Sequence, residues 1–149
     1  MDIQTFLAHA VKLELDAEET YLKLVELTMT LDNRDAVEFF REMAGFSRMH
    51  RNTAMQRAGF DDSTDIHGII DTWPDSINET PDINEFKPPH DLEGALALAL
   101  ASENRAVVFY DGVAQTTTDP QIRRIASEFA AEERGHVLAL ERFLGLQCY

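Results

Sequence analysis

At 149 residues the chain has the length of about one domain and can bury a substantial core. Its 27 acidic residues against 13 basic ones give a net charge of −14, a field that repels nucleic acid and anionic membranes and favours cations or basic partners. A single cysteine, Cys148, excludes an internal disulfide framework or a cysteine-built zinc site. The opening stretch MDIQTFLAHAVKLELDAEE lacks the basic start and apolar run of a secretory signal, and no apolar stretch approaches membrane-spanning length. A cytoplasmic location is the expectation, with neither a nucleic-acid nor a membrane partner.

Four amphipathic helices follow from the spacing of apolar residues. The first covers about residues 2–28, with an inward stripe of Ile3, Leu7, Ala10, Glu14, Ala17, Tyr21 and Leu24. A short turn leads to the second, about 34–57, whose stripe is Val37, Phe40, Met43, Ser47, His50 and Ala54; Asp32 or Asn33 can cap it and Gly59 can end it. A long connection, 59–90, holds four of the five prolines and many acidic residues. Such a length suits a crossover along the outside of a bundle, because a helix of about 25 residues is about 38 Å long. Ile69, Ile70 and Trp73 are expected to pin it there. The third helix, about 92–117, begins after Asp91 and points Leu92, Leu96, Ala99, Glu103, Ala106, Tyr110 and Val113 inward. The fourth, about 120–145, starts on Asp119 and Pro120 and carries Ile122, Ala126, Phe129, Glu133, His136, Leu140 and Phe143. An all-α, single-domain four-helix bundle is the expected architecture.

The two halves of the chain repeat one another. ELDAEETY, from Glu14 to Tyr21, aligns with ENRAVVFY, from Glu103 to Tyr110; EMAGFSRMH, from Glu42 to His50, aligns with EFAAEERGH, from Glu128 to His136. Glu14 and Ser47 each stand about sixteen residues from the first turn, and Glu103 and Glu133 about fifteen from the second, so each pair reaches one level of its hairpin. Glu133 and His136, three residues apart, are separated by about 60° around the helix axis and about 4.5 Å along it. Three carboxylates at one apolar level repel one another and resist desolvation unless cations compensate them. The candidate metal ligands are therefore Glu14, His50, Glu103, Glu133 and His136. This oxygen and nitrogen set suits iron or manganese and admits zinc. Glu18, Glu19, Glu42, Glu128 and Glu132 are expected mostly to face solvent, and His9, His67 and His90 are given no role.

This pattern resembles the rubrerythrin-like branch of the ferritin-like superfamily, with Glu on the first helix, Glu-x-x-His on the second, Glu on the third and Glu-x-x-His on the fourth. The resemblance runs through Glu14, SRMH at Ser47–His50, Glu103, and ERGH at Glu133–His136. It implies a ferritin-like fold with the long crossover and a non-haem diiron centre reducing peroxide or handling dioxygen. It also implies a homodimer. Ser47 takes the place of the second-helix Glu, so it marks an open coordination position or a site reduced to one metal. Ala106 stands where rubrerythrins carry a further, redox-mobile Glu. One cysteine cannot build the rubredoxin-like four-thiolate centre, so electrons for a redox cycle would come from an external donor. Tyr21 and Tyr110 are candidates to hydrogen-bond the ligand carboxylates. The alternatives to an oxidoreductase are a catalytically inactive metal-binding bundle and an iron-handling protein.

Overall fold

The structure, a computed structural model, describes residues 1–71 and 89–147, so Trp73 and Cys148 lie outside the described residues. Five helices occur among them: α1 Ile3–Thr30, α2 Arg34–Ala58, α3 Ile66–Asp71, α4 Leu92–Thr116 and α5 Pro120–Gln147. The four long ones match the four amphipathic segments of the sequence. Their ends are set by local chemistry. Asp2 accepts from the Thr5 amide, Asn33 from Ala36 and Asp91 from Gly94, each satisfying an amide that the first turn leaves without a partner. Gly59 closes α2 in the left-handed region at φ 73. Asp32 takes φ 54 in the α1–α2 turn, a conformation that Asp tolerates better than most side chains.

Contacts between helices fix the topology. The α1–α2 and α4–α5 pairs are the two closely packed hairpins. Between α2 and α5, Phe39 stacks on Phe143, Phe46 on His136, and Arg57 pairs with Glu128. As the numbers rise along α2 they fall along α5, so these two helices are antiparallel. Each hairpin is itself antiparallel, and α2 and α4 therefore run in the same direction. The chain must travel the length of the bundle between them, which is the ferritin-like crossover. The short α3, unforeseen in the sequence, begins that journey by packing on α1, with Ile66 against the core.

The core is divided. One apolar cluster contains Phe6, Val11, Tyr110, Ile122 and Phe129; the other contains Tyr21, Leu24, Phe40, Leu96 and Leu140. Stacked and edge-on rings tie the first together, Phe6 touching Phe109, Tyr110 and Phe129. Between the clusters lies a level of polar groups contributed by all four long helices. Burial at that level is nearly complete for Glu14, Ser47, Glu103 and Glu133.

Candidate metal centre

Helical periodicity alone brings the ionisable residues inward. Glu14 lies on the face of α1 that also buries Leu7, Ala10 and Tyr21, and Glu103 lies on the face of α4 that buries Ala99, Ala106 and Tyr110. Glu133 continues the Ala126, Phe129 and Ala130 face of α5. A helix that commits its flanking turns to the core has no other place for the residue between them.

The five residues converge as two trios. Glu14, His50 and Glu133 each offer a ligand atom within 4.8 Å of the others, and so do Glu103, Glu133 and His136. Glu133 belongs to both, and its two oxygens divide between them. Oε1 lies 3.5 Å from His50 Nδ1, and Oε2 lies 3.2 Å from His136 Nδ1. Glu14 Oε1 is 3.5 Å from His50 Nδ1, and Glu103 Oε2 is 3.5 Å from His136 Nδ1. The two imidazoles stack with centroids 5.2 Å apart.

Surrounding groups orient this set. The Tyr21 hydroxyl donates to Glu103 Oε1 at 2.5 Å, leaving the other oxygen toward His136. Tyr110 is fully buried, and its hydroxyl has no hydrogen-bond partner among the described residues; the same holds for Ser47 Oγ. His50 Nε2 lies 3.0 Å from Glu132 Oε2. That residue belongs to the acids expected to face solvent, and it is half exposed, yet it reaches the back of a candidate ligand. The repeat gives no signal for it, since the residue aligned with Glu132 in the other hairpin is Phe46. Glu18 also departs from expectation: its carboxylate is mostly buried and accepts from Arg48 and Arg51, each at 2.7 Å. It fastens α1 to α2 and takes no part in either trio. His9 is buried beside Phe109.

Protonation reflects crowding. Burial, and then the charge of Glu133, push Glu14 well above the ordinary carboxylate range. Burial and the hydrogen bond shared with Glu133 raise Glu103 to about 8. Burial acts on Glu133 in the same sense, but hydrogen bonds from Glu103, His136, His50 and Glu14 outweigh it and hold that carboxyl well below its usual value. The histidines, which burial alone would depress, are lifted to about 10 by their carboxylate neighbours. Without cations, the centre is thus one carboxylate among protonated partners.

The donor atoms and their convergence answer whether the residues fit metal ions. Hard carboxylate oxygens and imidazole nitrogens suit first-row dications such as iron or manganese. Each trio, the two joined through one carboxylate, could hold an ion whose charge would replace the protons. The buried, unpartnered Ser47 hydroxyl adds a polar group at the same level.

Among known proteins, the solved structure of an uncharacterized conserved protein from Magnetospirillum magnetotacticum MS-1 superposes with a TM-score of 0.77 at 29% identity, covering 97% of this chain and 95% of that one. No curated protein matches the chain. The family model described as Rubrerythrin matches residues 5–144, a span that includes all five convergent side chains and both hairpins. With the bundle, its crossover and the two carboxylate–histidine trios in agreement, the chain belongs to the rubrerythrin family.

Proposed function

We propose that this protein is a non-haem dimetal carboxylate oxidoreductase, with two iron ions held by Glu14, His50, Glu103, Glu133 and His136, acting on peroxide or dioxygen. The observation that carries the reading is the division of Glu133 between two histidine-containing trios, one oxygen to each. Iron held at these positions would supply redox chemistry between its ferrous and ferric states. The protein's own residues do the rest. Glu133 would offer one oxygen to each position, Glu14 and Glu103 would each complete one trio, and His50 and His136 present their Nδ1 atoms inward. Tyr21 orients Glu103 through its hydroxyl. The apolar clusters on either side leave only the histidine edge of the centre in contact with solvent, and burial of its carboxylates strengthens the electrostatic contacts among them. Ser47, shorter than the carboxylate its repeat partner Glu133 supplies, places at the centre a buried hydroxyl with no partner among the described residues, a donor for a small oxidant. Electrons return from an external donor, and the working unit is a homodimer.

Anaerobic loading with ferrous iron followed by peroxide tests the reading. Two bound equivalents and rapid growth of ferric absorbance are expected. Stable binding of two ferrous ions without oxidation would end the oxidoreductase claim and favour the inactive metal-binding alternative, for which the missing second carboxylate at Ser47 is the specific support.

A further inference from the structure

The two halves of the centre are related by the internal repeat, and the repeat breaks where it matters. His50 corresponds to His136, and the residue three before each is Ser47 in one hairpin and Glu133 in the other. The residue four before each is Phe46 and Glu132. Their neighbourhoods differ accordingly. The outer nitrogen of His50 meets the Glu132 carboxylate at 3.0 Å, whereas the ring of His136 lies against the ring of Phe46, centroids 5.6 Å apart and 18° from parallel. A third break points the same way: Tyr21 donates to Glu103, while the hydroxyl of its counterpart Tyr110 has no partner among the described residues.

A carboxylate on the far nitrogen of an imidazole fixes the tautomer, holds the ring and increases the electron density at the inner nitrogen. A hydrogen bond donated to a carboxylate does the opposite to that ligand, drawing charge from it. Resting on the dimetal reading above, the geometry points to two unequal metal positions, with Glu132 acting as the positioning residue that makes the Glu14–His50–Glu133 position the tighter one. The Glu103–Glu133–His136 position, with an aromatic ring against its histidine and a tyrosine on its carboxylate, fills second.

Cobalt(II), a redox-quiet probe with visible absorption, allows the two steps to be resolved on the full-length apo protein by titration against a competing chelator. The unmodified protein should take up two equivalents in two steps separated by about tenfold or more. Glu132→Ala should weaken the tighter step by about tenfold and leave the weaker one in place, with Glu132→Gln falling between because an amide oxygen still accepts from the imidazole. Phe46→Glu supplies the missing carboxylate on the other side and should tighten the weaker step. Apo thermal unfolding of each variant separates loss of fold from loss of ligand orientation. Two equal steps in the unmodified protein, or a Glu132→Ala variant weakened equally at both, would overturn the inequality while leaving the dimetal reading intact. Binding of no cobalt at all would overturn both.

Discussion

A buried carboxyl that keeps its proton responds to substitution differently from one that must stay ionised, and the centre holds both kinds. Glu103, raised to about 8, is neutral in the ion-free protein at pH 7, so Glu103→Gln replaces a neutral acid by a neutral amide of the same shape. Its effect on apo stability is expected to be within about 1 kcal/mol, although metal binding at the second trio should fail. Glu133 is the anion between two histidinium rings, and Glu133→Gln leaves their charges without it. A loss of about 3 kcal/mol is expected, the low end because both rings retain some solvent contact. Urea unfolding of both variants in the presence of a chelator checks the contrast; equal destabilisation would mean the protons are distributed otherwise. The same groups set a pH dependence. Glu103, ordinarily near 4.5, contributes most below that value and progressively less as pH approaches 8. The histidines contribute fully below 6.5 and lose that contribution toward pH 10. Depressed Glu133 works in reverse, its contribution present above 4.5 and lost in acid. Between pH 6 and 9 the raised groups govern, so the apo urea midpoint should fall as pH rises, whereas metal affinity should rise as the same protons leave more readily. An apo midpoint climbing over that window contradicts the assignment.

At the scale of the helix, ends and faces carry separate information. Gly59 ends α2 at φ 73 with open space around a Cβ, so Gly59→Ala meets only backbone strain and should cost about 1–2 kcal/mol, measurable as a lower denaturant midpoint with an unchanged slope. The sequence made these boundaries readable through Asn33, Gly59, Asp91 and Asp119, because caps are local chemistry. It also placed Glu14, Glu103 and Glu133 inward, because a 3.6-residue period leaves little freedom between buried neighbours. Two things were not legible there. Glu132 stands beside Glu133 on a half-exposed face, and a single helix cannot reveal that an imidazole of another helix lies across from it. Glu18 likewise carries the composition of a surface acid, and only the approach of α2 brings Arg48 and Arg51 onto it. Periodicity reports which way a residue faces; partners across a helix interface belong to packing. The crossover, expected from the length of the connection, follows in the structure from the antiparallel run of α2 against α5.

Across the whole molecule, the two trios differ in where their members originate. Glu103, Glu133 and His136 all come from the α4–α5 hairpin, whereas Glu14 and His50 come from α1 and α2 and meet Glu133 across the seam. An ion among the first three would consolidate one hairpin; an ion among the others would rivet two hairpins that otherwise meet through side-chain packing. Hydrogen exchange of the full chain, compared with and without cobalt, should therefore register the first equivalent as slower exchange in α2 and α5 on both banks of the seam, and the second as a smaller change confined to α4 and α5. Protection spreading evenly with each equivalent would contradict this order. The closure of the two hairpins on one another would then follow the supply of cation, because the tighter position draws its members from both of them.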